Sequence, residues 1–249
     1  MSLVIKQRCF LDHPSWKYDP WGHSPKSPQN ELVDILVNLP GYLQDLALIE
    51  EGTISKASLV VRLEADLENL RQWQWRWAMQ NADAAWDASP ASTQHSALCK
   101  SRVFKDALWF RNFGQSTEIL LFNAVLICIL GVLSHVSEEI YIVESPLYTQ
   151  PRVHVPYRWT SAHRAAVEIC RAFEYQLCNI RGSCGTAYFW LLPLGLASKV
   201  LRRNTLYKSW IDEMLAVSKS LRSHGAETSE FAFQYWSFLD RLEETGTAL

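Results

Sequence analysis

The feature that most constrains the fold is a long run in which apolar residues recur every three or four positions. Across 58–86 this spacing is kept by Leu59, Val60, Leu63, Leu67, Leu70, Trp73 and Trp77. Apolar residues at this period line one face of an α-helix. The pattern therefore predicts a long amphipathic helix whose apolar face must be covered by other helices.

The other strong patterns in the sequence are helical too. They predict helices at 31–39, ended by Pro40 and Gly41, then at 115–139, from Thr160 or Ser161 to Asn179, at 188–203 with a bend at Pro193, at 205–223 and at 229–244. A short apolar segment also runs to Ile49, and we identify neither an internal repeat nor a convincing alternating strand. The sequence thus predicts an all-α protein, a compact helical bundle forming a single domain over 1–249.

Prolines mark the segments expected to be irregular. Residues 1–30 contain Pro14, Pro20, Pro25 and Pro28 among aromatic residues, which predicts a strap laid over a surface. Residues 87–96 are typical of a solvent loop, and 141–159 contains Pro146, Pro151 and Pro156. We expect the helices to lie between these segments.

Composition narrows the classes of function. The chain has 48% hydrophobic residues and eleven tryptophans, enough to fill a core, and its formal net charge is −2. Proteins that bind nucleic acid usually carry a basic surface, so no direct nucleic-acid contact is expected. The six cysteines form no CxxC pair and have no zinc-finger spacing, which predicts reduced thiols, no metal and no cofactor.

Neither a membrane span nor a secretory leader is expected. The most apolar run, 119–133, contains Asn123 and Gly131 and is shorter than the about 20 residues that a spanning helix needs. The first residues have no long apolar stretch. We therefore expect a buried core helix at 119–133 and a cytoplasmic or nuclear protein.

Three tryptophans alternate within the long helix. Trp73 and Trp77 share one face and are expected in the core, whereas Trp75 points roughly the opposite way. Trp75 is therefore a candidate for contact with an apolar ligand or partner.

The helix after residue 160 carries a possible ladder of ion pairs. Arg164, Glu168, Arg171 and Glu174 follow one another at spacings of three or four. The favoured interpretation is a ladder that fixes helix packing. The alternative is a polar floor for a pocket whose apolar wall includes Phe173 and Tyr175.

Histidines supply the candidates for proton transfer. His135 shares a helix face with Glu139, which suits either a general base or, as favoured, a cation near the helix C-terminus. A second group precedes the next helix and comprises His154, Tyr157, Arg158, Trp159 and His163. No nucleophile elbow, zincin, phosphate loop or dinucleotide motif is present in the sequence. Residues 181–185 are favoured as a simple turn, with Cys184 the thiol to test for reactivity.

A family resemblance rests on short motifs spread along the chain. They are Trp16, Pro20-Trp21, 31–45, 165–175, Gly182, Gly185, Pro193-Leu194 and Ala197. Together they resemble the C-terminal regulatory region of fungal zinc-cluster transcription factors. The resemblance implies a helical body that binds small molecules, a second copy or another regulator. Because no six-cysteine zinc module precedes Met1 or follows Leu249, we expect no DNA binding by this chain.

Two functions remain open from the sequence. The first is a stand-alone regulatory-type domain that binds an apolar small molecule, a regulatory protein or a second copy. Its predicted ligand-binding residues are Trp75, Tyr157, Arg158, Trp159, Arg171, Phe173 and Tyr175, with a cavity expected between the 165–175 helix and 141–159. The second is a cofactor-free isomerase, cyclase or dehydratase acting on an apolar secondary metabolite. Its candidate catalytic residues are His135, His154, His163 and Glu174.

Overall fold

The computed structural model describes residues 7–88, 103, 104, 106–137, 161–179 and 187–220. Most of them are helical, which confirms the predicted all-α class. The α-helices are α1 (Pro14–Tyr18), α2 (Pro28–Leu36), α3 (Leu39–Glu50), α4 (Lys56–Gln80), α5 (Phe113–Val136), α6 (Ala162–Asn179), α7 (Ala187–Leu201) and α8 (Thr205–Ser220). Two short strands, β1 (Ala85–Ala88) and β2 (Ala107–Phe110), lie between α4 and α5.

Contacts divide the chain into two compact units. The first unit contains the described residues of Met1–Gln80 and Val125–Tyr141, and the second those of Asn81–Ala124 and Ile142–Ala248. Helix α5 contributes its first half to the second unit and its second half to the first. The single domain over 1–249 stays a prediction.

The N-terminal strap of the first unit contains more helix than the sequence predicts. Two 3-10 turns, Phe10–Asp12 and Asp19–Trp21, flank α1. Helix α1 begins at Pro14, and the ring of His13 accepts a hydrogen bond from the amide of Ser15. Proline is tolerated in the first turn of a helix because its missing N–H has no partner there anyway. Pro14, Pro20 and Pro28 thus lie at the starts of short helices, whereas Pro25 lies outside them.

The boundary predicted at Pro40 and Gly41 is wrong for the same reason. Helix α2 ends at Leu36, and Pro40 lies in the first turn of α3. Gly41 has a separate role, because a β-carbon added there would lie 3.0 Å from a terminal nitrogen of Arg8. The glycine allows the Arg8 guanidinium to rest against the backbone of α3.

In helix α4, the prediction that Trp73 and Trp77 lie in the core and that Trp75 points away from it is confirmed. Trp73 and Trp77 are each 2% exposed, and their rings stack with centroids 6.1 Å apart. Trp75 is 54% exposed. The helix ends at Gln80, short of the predicted end near Trp86, which instead lies in β1.

The second unit contains the two strands, which the sequence patterns did not reveal. β1 and β2 pair antiparallel, with Trp86 opposite Trp109. All four residues of β2 are apolar, so the strand has no alternation by which a sequence pattern could reveal it. Asp87, which we assigned to a solvent loop, lies in β1.

Helix α6 packs against both β2 and α7. It begins after Ser161, whose side chain caps the amide of Arg164, and it ends at Asn179 as predicted. Pro193 lies inside α7, and α8 is described from Thr205 to Ser220. The end predicted at 223 lies outside the described residues. The helix predicted at 229–244 lies outside the described residues.

Among the described residues, two helical stretches are long and apolar enough to cross a membrane by length and composition alone. They are Pro28–Glu50 and Phe113–Val136. The most apolar part of the second has a mean hydropathy of 2.5 and is 78% buried within the protein. This burial is what a core helix shows, and the same test selects core helices of soluble proteins.

Candidate functional site

A pocket of about 350 Å³ lies within the first unit. Its lining is mostly polar and comes from the strap, from α2 with the residues after it, and from α4. The lining residues are Lys17, Tyr18, Glu31, Asp34, Ile35, Asn38, Asp66, Asn69, Gln72, Trp73 and Arg76. We refer to it as the Asp66 pocket.

Helix periodicity places the lining side chains of α4. Asp66, Asn69, Trp73 and Arg76 follow one another at spacings of three or four and so lie on one face. Asp66 and Trp73 are buried, whereas Asn69 and Arg76 are exposed. The face that α4 turns to the pocket therefore combines buried and exposed side chains.

The floor of the pocket is a buried carboxylate held by neutral groups. Asp66 is 7% exposed. Its Oδ2 accepts a hydrogen bond of 2.8 Å from the Asn38 amide and one of 2.6 Å from the Tyr42 hydroxyl. Burial, together with the nearby Asp66 charge, raises the pKa of Tyr42, so the phenol stays protonated and donates. Within the described residues, Oδ1 receives no hydrogen bond.

The other charged groups around the pocket are already paired. Arg76 contacts Glu31 at 2.7 Å, and Lys26 forms an ion pair with Asp34. Lys17 contacts Asp12 at 2.9 Å. Lys17 also donates to the Asn38 oxygen at 2.5 Å, which orients the Asn38 amide toward Asp66.

Arg8 attaches the strap to α3, and Arg62 of α4 contacts the same carboxylate of α3. Asp45, on α3, is 2% exposed, and its carboxylate lies between the guanidinium groups of Arg8 at 3.1 Å and Arg62 at 2.6 Å. The amide of Arg8 also donates to the side chain of Gln44 at 2.9 Å. These contacts hold the segment that carries Lys17 and Tyr18 to the pocket.

The second unit contains a different charged group, centred on Arg171. Its guanidinium contacts Glu168 at 2.8 Å, pairs with Asp87 of β1, and donates from Nε to the carbonyl of Asp106 at 3.1 Å. Burial by itself would lower the pKa of Arg171. The negative charges of Glu168 and Asp87 have a larger combined effect and raise this pKa. We refer to these residues as the Arg171 cluster.

This cluster corrects the predicted ladder in part. The Arg171–Glu168 contact forms as expected. Among the described residues, however, the second carboxylate of Arg171 is Asp87 and not Glu174. Spacing within one helix gave no sign of a partner from a strand 84 residues away.

Phe173 and Tyr175 lie within the core of the second unit. Phe173 is fully buried, and the Tyr175 ring lies edge-on to Trp109 and Phe110, with centroids 5.4 and 5.5 Å away. Burial raises the pKa of Tyr175. This packing favours a structural role for both side chains.

The proton-transfer candidates are distributed over both units. His135 lies in the last turn of α5 in the first unit, whereas His163 and Glu174 lie on α6 in the second. The exposed His163 ring lies 5.9 Å from that of Tyr207. His154, Tyr157, Arg158, Trp159 and Cys184, with the cavity predicted beside them, lie outside the described residues. Trp75 is not part of the pocket lining.

Sequence reasoning missed the residues that build the pocket. Lys17, Asp66 and Asn69 belong to no motif, and Asn38 falls within 31–45, a motif that was not assigned to a site. The elements that carry these residues meet only in the fold. One signal was present, because Asp66 falls three residues after Leu63 and four before Leu70, on the apolar stripe of the helix. A carboxylate on a buried face needs partners or a function.

Comparisons of the chain with known proteins identify no relative that would indicate its function. No family model, no curated protein and no solved structure matches the chain. In the part of the chain that the structure describes, no group of three or more His, Cys, Asp or Glu residues is placed to hold a metal ion. The geometry of the Asp66 pocket is therefore the basis for a functional proposal.

Proposed function

We propose that the chain is a helical ligand-binding module and that the Asp66 pocket is its site for a small polar molecule. The observation that carries the proposal is a buried carboxylate, 7% exposed, in the lining of a pocket of about 350 Å³. Ligand sites are concave and carry a few well-placed polar groups, and volumes of about 300 to 1,000 Å³ are typical. The pocket is at the small end of this range.

The polar groups of the pocket are held in place before any ligand binds. Asn38 is fixed between Lys17 and Asp66, and Arg76 is fixed by Glu31. Groups that are already oriented lose little entropy on binding, which favours affinity. Asn69 is exposed and makes no hydrogen bond to the described residues, so its amide is available to a ligand.

The sequence resemblance supports a binding role. Regulatory regions of fungal zinc-cluster factors are helical bodies, and small-molecule recognition is one of the functions that the resemblance implies. The lining of the Asp66 pocket suits a polar ligand, whereas the sequence predicts an apolar one at residues that include Tyr157 and Trp159. That apolar site, and the cofactor-free enzyme, stay predictions.

The proposal is tested by filling the pocket. The purified chain is incubated with a metabolite extract, and the molecules that stay bound are identified by mass spectrometry. Asn69→Phe introduces an aromatic ring into the lining without removing a hydrogen bond to a described residue. Ala65→Phe introduces the same ring at an exposed position of α4 outside the lining.

The two variants separate pocket binding from other binding. We expect the wild-type chain and Ala65→Phe to retain the same small molecule, and Asn69→Phe to lose at least about tenfold in affinity, or about 1.4 kcal/mol. Equal retention by all three proteins would place the ligand elsewhere and reject the pocket as the site.

A further inference from the structure

The carboxylates of the first unit differ in what neutralises them. Asp45 has two guanidinium groups, Asp34 has Lys26, and Glu31 has Arg76. Asp12 has Lys17 and Arg8. Asp66 forms no ion pair with a described residue, although it is among the most buried of these acids.

A buried carboxylate without a cation is costly, because neutral donors replace only part of the lost hydration. Asn38 and Tyr42 both bond to Oδ2. Oδ1 therefore remains to accept a charge-assisted hydrogen bond, which is roughly twice as strong as a neutral one. The group that satisfies it best is a protonated nitrogen.

Resting on the function proposed above, we propose that the Asp66 pocket binds a small polar amine in its protonated form, with the ligand ammonium on Oδ1 of Asp66. The cations around the pocket do not take this position, since Lys17 is held by Asp12 and Asn38, and Arg76 is held by Glu31. The exposed amides of Asn69 and Gln72 lie in the lining and suit hydroxyl or amide groups elsewhere on the ligand.

The remaining lining also suits an amine. Tyr18 lies in the lining, and its ring already attracts a cation, because the Lys26 ammonium lies 5.3 Å from the ring centroid. The lining contains three carboxylates, Glu31, Asp34 and Asp66, and two cations, Lys17 and Arg76, so its net formal charge is −1. This balance favours a positively charged ligand over a negatively charged one.

The experiment compares amines with their neutral counterparts on the full chain by isothermal titration calorimetry. The probes are 1,4-diaminobutane against 1,4-butanediol and glucosamine against glucose, with succinate as the anion. We expect at least one amine to bind about tenfold or more tightly than its counterpart, the size of one charged hydrogen bond, and succinate not to bind.

Two isosteric variants locate the effect. Asp66→Asn should reduce amine affinity about tenfold or more. Glu51→Gln removes an exposed carboxylate of the first unit that lies outside the lining, and it should change affinity less than about threefold. The comparison of amine with neutral probe needs only the wild-type chain, so it decides the question even if Asp66→Asn does not fold.

The possible failures are distinguishable. If neutral probes or extract molecules bind in the pocket and no amine binds better than its neutral counterpart, the proposal of an amine ligand is rejected. The proposal of a ligand-binding module is then kept. Amine binding that survives Asp66→Asn unchanged rejects the role of Asp66. If no probe and no extract molecule is affected by Asn69→Phe, both the amine and the Asp66 pocket are rejected.

Discussion

The Asp66 pocket and the Arg171 cluster both bring charged groups out of water, but they leave them in different states. Arg171 has two carboxylates and a carbonyl, and these acceptors come from α6, β1 and the residue before β2. Asp66 has an amide and a phenol on one oxygen only. A charge surrounded by opposite charges joins elements of the fold, whereas a partly satisfied charge beside a pocket has capacity for a ligand.

We therefore expect the Arg171 cluster to contribute to stability, while the Asp66 pocket is the proposed binding site. Variants of each region should therefore separate unfolding free energy from ligand affinity.

Phe173→Ala should be the most destabilising of these variants. Phe173 is fully buried in the second unit, and truncation of such a side chain typically costs about 3 to 5 kcal/mol. Urea denaturation measures the loss. The matched control is Trp75→Ala, where the ring is 54% exposed and the change should stay within about 0.5 kcal/mol. A Phe173→Ala protein as stable as wild type would instead favour a ligand wall in the second unit.

Arg171→Met should cost about 3 kcal/mol, because Asp87 and Glu168 would keep their charges in a partly buried site without the guanidinium. Arg71→Met is the control, since the Arg71–Glu68 side chains are 46% and 52% exposed, and such pairs contribute less than about 1 kcal/mol. Chemical denaturation of both variants tests the contrast. If the two losses are equal, the Arg171 cluster does not join the elements of the second unit.

Asp45→Asn and Asp66→Asn compare two buried carboxylates within the first unit. Asp45→Asn weakens contacts with two guanidinium groups and should cost about 2 kcal/mol. Asp66→Asn keeps an acceptor for Asn38 and Tyr42 and removes a buried charge that has no cation, so its cost should stay below about 1 kcal/mol. Equal losses in thermal or urea unfolding would contradict the distinction between a structural and a binding carboxylate.

Local patterns predicted much of the fold. The period of apolar residues revealed α4, and Ser161 with the pattern after it revealed the start of α6. The strands were missed because β2 is a short apolar run, and the boundary at Pro40 was misplaced because proline is accepted at a helix start as well as after its end. Both errors arise because the same residues are compatible with two structures: an apolar run with a strand or a helix, and a proline with the start of a helix or the region after its end.

The site was far less predictable than the fold. The pocket combines Lys17, Asn38 and Asp66, which lie on separate elements and share no motif. The partner of Arg171 comes from a distant strand, so helix spacing could identify only Glu168. Periodicity gives the face on which a side chain lies, but the group opposite it depends on the tertiary fold.

The smallest expected effect is a pH dependence in the second unit. Burial and the nearby charge of Glu174 raise the pKa of Cys178 from its ordinary value of 9.0 to about 11. The unfolded thiol ionises first, so the stability that it contributes is fully present below pH 9 and is lost as the pH rises to about 11. Cys178 is only half-buried, and water screens the effect, so we expect a loss below about 1 kcal/mol.

Burial also raises the pKa of Tyr42, Cys170 and Tyr175, so the total decline in stability at alkaline pH contains their contributions too. The unfolding free energy of wild type and of Cys178→Ala is measured at pH 8 and at pH 10.5. The contribution of Cys178 is the amount by which the loss between these two pH values is larger in wild type than in the variant. Cys9→Ala is the control for removing a thiol, in this case from the first unit. A decline that is just as steep in Cys178→Ala would show that this thiol does not couple alkaline pH to the stability of the second unit.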